Sequence, residues 1–332
     1  MAAGVHAVQS AVVDFHAHVL ESQVFERTFP QSVFGAFGAH PDAAWPEPGS
    51  RMALAHERML NPALRLADMD KRGVDVQVLS STTVMQYTAW AEPALQLELE
   101  ARVNDSIADL CKRYPHRFVG SFTLPLRDIE LAIGETRRTV KEHGFSVANL
   151  TASVDGEYLG APAFRPLWET FDELGVIAFV HPDGVQDPWF QQYALWNSIG
   201  QSIEESKVMT SLILEGVLED LPDLKIVMAH GGGFLPHYFG RLDRNFHNRP
   251  ATAGHITKLP SEYLNAFYLD TCVYDPKVLA VLIELVGADR LLLGTDYPVG
   301  DSDPLAIVQA SGATAAQIAA IAGGNAVELL GL

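Results

Sequence analysis

Eight times along this chain a short run of apolar or β-branched residues gives way to a longer segment patterned for a helix, and that alternation narrows the fold more than any other property. The runs lie around residues 11–19, 74–81, 117–124, 145–151, 176–181, 224–230, 266–271 and 290–295. Between them, segments such as PALQLELEARVNDSIADLCKRY, IELAIGETRRTVKEHG, PAFRPLWETFDELG and DPKVLAVLIELVGADR carry apolar residues at three- and four-residue steps, and several stop at glycine. Strand runs that are apolar almost throughout belong to a parallel sheet covered by helices on its faces. Eight such units predict a closed (β/α)8 TIM barrel, an α/β architecture whose strand C-termini gather around one mouth. An open doubly wound sheet is the rival, but the chain has no early glycine-rich dinucleotide fingerprint. At 332 residues it fits one barrel, so a single domain over 1–332 is expected.

Four of the runs end in side chains suited to metal binding or proton transfer: DFHAH (His16, His18), VIAFVHP (His181), KIVMAHGGG (His230) and LLLGTDYP (Asp296). His16 and His18 are two apart on a strand, so both face the same side. Three neutral imidazoles and one carboxylate make a normal nitrogen and oxygen set for a divalent ion, with a position left for water or substrate. Zinc is the expected metal, with manganese, iron or cobalt as alternatives. The purely structural readings are a chance HxH among 12 histidines, a loop-entry histidine before Pro182 and a helix-capping aspartate before Tyr297. Such donors on the first and last strands favour a closed barrel, since an open sheet would leave those strands at opposite edges. His230 precedes three glycines, which let backbone approach closely, and its near-neutral pKa suits an acid/base. The alternative is that His230 itself ligates the metal. The Gly231–Gly233 run lacks the Lys-Ser/Thr ending of a phosphate-binding loop.

Composition restricts the partners. With 48% hydrophobic and 19% charged residues the chain is globular, and its formal net charge of −18 argues against nucleic-acid binding. A small carboxylate substrate would have to be drawn in by local cations, which makes arginines near the site informative. Two cysteines, Cys111 and Cys272, give no disulfide framework. No leader-like segment or membrane-length apolar run is present, so a cytoplasmic protein without a membrane partner is expected. Two connections are long. A lid-like insertion over about 20–60, after the first strand, holds Phe25, Phe29, Phe34, Phe37, Trp45 and several prolines such as Pro41, and residues 182–200, after the fifth, hold Trp189, Phe190, Tyr193 and Trp196. Lids, substrate-binding walls or a subunit interface would each use such aromatics.

The set DFHAH, VHP, AHGGGFLPHYFGRLDR and GTDYP, with PALRLADMDKRGVDVQVLSS near the front, resembles the amidohydrolase-2 family, and within it decarboxylases of the aminocarboxymuconate semialdehyde type. The likeness runs across nearly the whole chain. It implies a (β/α)8 barrel with one divalent metal, usually zinc, on residues matching His16, His18, His181 and Asp296, and it makes His230 the catalytic acid/base beside Asp296. It also implies two arginines on the substrate carboxylate. One comes from the long first loop, where Arg51 matches and Arg58 is the alternative. The other crosses a homodimer interface, where Arg241 matches and Arg249 also falls on a family arginine. Trp196 is a further candidate for substrate contact. A first-strand HxH, where several aromatic-acid decarboxylases have ExH, favours the semialdehyde type, whereas Val299, Asp301 and Asp303 depart from its pattern. The expected reaction is non-oxidative decarboxylation of a small unsaturated or aromatic carboxylate. Hydrolysis or hydration of a C–N bond, lactone or alkene at the same site is the alternative, and a catalytically idle binding barrel is a third reading.

Overall fold

The computed structural model describes residues 11–32, 46–185, 187–300 and 303–332. One strand forms at each of the eight apolar runs: β1 (Val13–Val19), β2 (Val76–Ser81), β3 (Phe118–Phe122), β4 (Val147–Leu150), β5 (Ile177–Val180), β6 (Lys225–Met228), β7 (Phe267–Asp270) and β8 (Leu291–Leu292). Each pairs in parallel with the next in this order. The ring closes because the Phe15 N–H donates to Leu293 O at 2.8 Å, the His18 N–H donates to Tyr297 O at 2.8 Å, and Ala17 forms a parallel bridge with Tyr297. The architecture is the expected (β/α)8 TIM barrel.

The barrel interior is a packed core. Val13 and Phe15, Val78, Val147, Ile177 and Phe179, Val227, Ala229 and Leu292 form one buried cluster, closed by Ala326 and Leu329 of the C-terminal helix Asn325–Leu330. The rings of Phe15 and Phe179 meet edge-on at 5.8 Å, although β1 and β5 are not neighbours in the sheet, so the contact spans the interior. Outside the sheet, helices bury their apolar stripes in a second and larger cluster that includes Leu99, Val103, Ile107, Trp168, Phe171, Val208 and Leu212. The helix Ile129–His143 shows the local logic. The Asp128 side chain accepts from the Leu131 N–H, and the helix stops at Gly144, whose left-handed φ of 70° suits a residue without a Cβ.

The two long connections are more helical than their proline and aromatic content predicts. Residues 20–60 contain α1 (Ser22–Thr28), a 3-10 turn over Phe29–Gln31 and α2 (Arg51–Leu60). In α2 the Ser50 side chain caps the Ala53 N–H at 3.1 Å, and Met52, Ala55 and Met59 recur at helical spacing, a signal easily lost behind the prolines upstream. Phe25 and Phe29 pack beside Leu20, Met59 and Met85. Phe34, Phe37, Pro41 and Trp45 of the expected lid lie outside the described residues, as does Asp301. After β5, Pro188–Ala194 and Trp196–Gly200 make 3-10 and π turns that run into α3 (Gln201–Leu214). Among the described residues no helix is long and apolar enough to cross a membrane.

Candidate metal centre

At the C-terminal mouth of the barrel the four expected donors converge. The ligand atoms of His16, His18, His181 and Asp296 all lie within 4.8 Å of one another. His16 Nε2 stands 3.1 Å from His18 Nε2, and Asp296 Oδ1 lies 3.5 Å from the first and 3.1 Å from the second. Strict alternation along β1 would send His16 outward, because Val13 and Phe15 already fill the interior. The register slips between Asp14 and Ala17, and this irregularity turns His16 and His18 inward together. Asp296, in the segment after β8, has a φ of 54°, and His230, just past β6, has a φ of 49°. Left-handed backbone at two non-glycine residues is costly and characteristic of functional positions.

The hydrogen bonds around the cluster fix which nitrogens face it. His16 Nδ1 lies 2.6 Å from the buried Asp270, and His181 Nδ1 lies 2.9 Å from Pro182 O and 3.0 Å from Thr83 Oγ1. Carboxylate and carbonyl oxygens only accept here, so both Nδ1 atoms carry the hydrogen and both Nε2 atoms present lone pairs to the cluster. Burial pushes His18 below the ordinary imidazole value and His181 well below it, which keeps both rings neutral. Burial alone would raise Asp296, but the His18 hydrogen bond and the neighbouring imidazoles hold it well below the usual carboxylate range. Two imidazole lone pairs and a carboxylate therefore meet around His18 with at most one hydrogen to share. Each buried polar group left unpaired costs about 1–3 kcal/mol, so this donor set fits a divalent cation better than a self-satisfied core.

Asp270 takes further support from the Gly231 and Cys272 N–H groups at 3.1 and 3.0 Å. Burial would raise it, yet the His16 contact holds it below the ordinary carboxylate value. On the other oxygen of Asp296, the Tyr274 hydroxyl donates at 3.2 Å. Above the cluster opens a cavity of about 800 Å3, which His18, His181, His230, Trp196, Tyr274 and Asp296 help to line. The Nδ1 of His230 is 2.5 Å from Glu205 of α3, so Nε2 is the nitrogen left to the cavity. Burial alone would lower His230, but the Glu205 carboxylate reverses this and raises it to about 9. Gly233 makes that approach feasible, because a Cβ there would overlap Ser202 O and touch Glu205.

The candidate substrate residues divide. Trp196 is buried in the cavity wall. Arg51 is exposed on α2, with Nη2 donating to Val299 O at 2.9 Å, and Val299 lines the cavity. Arg58, the alternative, is instead tied to Asp68 at 2.7 Å, and Asp68 also accepts from the Tyr297 hydroxyl. Arg241 and Arg249, in and just after the helix Phe239–Asn248, are exposed and are not among the residues lining their own chain's cavity. Asp243 accepts from the Ser261 N–H. Trp189 and Tyr193 face outward. Glu205, Asp270, Thr83 and Tyr274 escaped the sequence reading. Glu205 was detectable as a charge on the buried stripe of Val208, Met209 and Leu212, and Asp270 as one more acid at the end of an apolar run.

A model of the amidohydrolase family matches residues 13–332. The chain belongs to the amidohydrolase family. Among amidohydrolases of this family, it is 35% identical over 280 residues to the 2-amino-3-carboxymuconate-6-semialdehyde decarboxylase of Dictyostelium discoideum, covering 82% of this chain and 77% of that one. The crystal structure of 5-carboxyvanillate decarboxylase from Sphingomonas paucimobilis is similar with a TM-score of 0.84 at 26% identity, covering 97% of this chain and 99% of the other. Dihydroxybenzoic acid decarboxylase from Polaromonas sp. JS666, solved with bound manganese and the inhibitor 2-nitroresorcinol, gives a TM-score of 0.81 at 27% identity, with 97% of both chains covered. Family, fold and donor cluster together make this amidohydrolase a metal-dependent enzyme of the superfamily.

Proposed function

We propose that the protein is a metal-dependent, non-oxidative decarboxylase of a small unsaturated or aromatic carboxylate. The observation that carries this reading is the His230–Glu205 pair, set beside the three-histidine, one-aspartate cluster on the floor of a deep cavity. A carboxylate buried against Nδ1 favours the charged imidazole and aims Nε2 at the substrate, which suits delivering a proton to carbon. Relatives named as decarboxylases of a semialdehyde and of substituted benzoates support the same chemistry.

His16, His18, His181 and Asp296 would hold one divalent ion, zinc first and manganese next. When bound, it supplies the Lewis acidity that fixes a substrate oxygen and offsets its charge. The rest falls to the chain. Trp196 and Met59, buried in the cavity lining, would exclude water from it. The bond between the carboxylate and its carbon breaks, CO2 leaves, and one proton passes from His230 Nε2 to the vacated carbon. Solvent returns that proton to His230, so no oxidant or organic cofactor is consumed.

Arg51, held at the rim through Val299 O, would guide the carboxylate inward, and in a homodimer Arg241, with Arg249 near it, would serve the site of a second copy. Replacing Arg241 by Ala is expected to raise KM by about tenfold or more while kcat stays within a few-fold, the loss of a charge-assisted contact. An unchanged KM would remove Arg241 from substrate binding. The chemistry itself is tested by the mass of the product. Metal-loaded protein is given 2-amino-3-carboxymuconate semialdehyde beside a panel of hydroxybenzoates. Loss of CO2 from any of them supports the decarboxylase, whereas uptake of water transfers the site to hydratase or hydrolase chemistry.

A further inference from the structure

The walls of the cavity narrow the substrate class, on the reading that the site is a decarboxylase. At about 800 Å3 the cavity sits in the upper part of the roughly 300–1,000 Å3 range of drug-sized ligand pockets, more room than a single-ring acid fills. One wall is methionine: Met52 and Met59 from α2 and Met85 after β2 form a continuous apolar cluster with Val299. Elsewhere in the lining Val84 packs against Trp196. Met52, Met59 and Trp196 come from the two long connections, Val84 and Met85 from the segment after β2, and Val299 from the segment after β8. Thioether side chains adjust their shape to what they touch, so a methionine wall suits an extended apolar group better than a fixed planar one.

Charge points the same way. No lysine or arginine is among the described residues lining the cavity, and the stretches 1–10, 33–45, 186 and 301–302 contain neither residue type. His237, which also lines the cavity, is pushed below the ordinary imidazole value by burial. The Glu205 carboxylate offsets the charge on His230, and three imidazole donors with one aspartate leave a divalent ion with a single positive charge to offer, which one carboxylate neutralises. A second carboxylate would lie on methionine and valine, where this chain's Arg51 is exposed at the rim, screened by solvent and already donating to Val299 O, and the net charge of −18 would oppose its entry.

We infer that the preferred substrate is a monocarboxylic acid bearing a bulky apolar substituent, with its acid head at the histidine cluster and its apolar body on the Met52–Met59–Met85 wall. The test compares three acids built on one 2-hydroxybenzoate head: unsubstituted, carrying a hexyl chain, and carrying a second carboxylate. Turnover is measured on metal-loaded wild-type protein, and affinity is measured by calorimetry on the His230→Asn variant, which reports binding without reaction. The hexyl acid is expected to bind about tenfold or more tighter than the bare acid, the effect of burying a few methylenes, and the dicarboxylate weaker than either. Met52→Lys should reverse the order of the hexyl acid and the dicarboxylate by placing a cation in the wall. Equal or tighter binding of the dicarboxylate by the His230→Asn protein, with CO2 still released by the wild type, overturns this inference and leaves the decarboxylase standing. The expected binding order with uptake of water in place of CO2 loss supports this ligand class and removes the decarboxylase.

Discussion

Replacing His230 by Asn is expected to leave the fold and the metal affinity of the protein nearly unchanged while lowering kcat by about 1,000-fold or more, toward the upper end of what positioned acid/base groups contribute. Asparagine is the right replacement because position 230 has a φ of 49°, a conformation that Asn tolerates and Ala does not. His230 is separate from the four-residue donor cluster, and its Nδ1 is already taken by Glu205, so its loss should remove a proton carrier and spare the ion. Glu205→Gln belongs to the same test. It keeps the side-chain shape, removes the charge that favours the imidazolium, and should cost about 10–100-fold in turnover, as outer partners of site histidines do. Metal content follows from atomic absorption and turnover from product release. Wild-type kcat in His230→Asn would exclude it as the acid, and loss of metal together with activity would make it a ligand.

Asp296→Asn should do the opposite, losing the metal first. Asn again fits the positive φ, at 54°, so the substitution removes charge without forcing the backbone. Asp296 supplies the only anion of the four-residue cluster, and its carboxylate is held ionised by His18 and the other imidazoles. Affinity for zinc, measured by competition with a chelating dye, should fall by about 100-fold or more, beyond the 10–100-fold typical of residues that only support a ligand. Activity should fall with it and return in part at saturating metal. Unaltered affinity would reduce Asp296 to a capping residue, the structural reading its place before Tyr297 and Pro298 first allowed.

Much of this site was legible because barrel strands are short, apolar and buried on both faces, so a histidine or aspartate ending such a run stands out. DFHAH, VHP and GTDYP gave the donor set in that way, and closure of β1 on the segment after β8 brings residues nearly 280 positions apart into contact. What escaped depends on three-dimensional detail. Pattern alone predicts that His16 and His18 share a face. It does not reveal that a register slip is needed to turn that face inward after Phe15. Glu205 lies on a helix whose neighbour Glu204 pairs with Lys207, so the sequence offers no reason to choose the one that reaches His230. Arg58 was a fair rival to Arg51 until Asp68 claimed it, since nothing local distinguishes two arginines seven residues apart on one helix. Arg241 and Arg249 stand outside their own cavity, and only a second copy could give them the role expected from the motif.

The most direct test of decarboxylation follows the atoms. A substrate labelled with 13C in its carboxylate is turned over by metal-loaded protein in D2O, and the gas and the organic product are analysed together. The expected result is 13CO2 in step with product, and one deuterium on the carbon that held the carboxylate, delivered through His230. A product that keeps the 13C label and has gained the elements of water would contradict it.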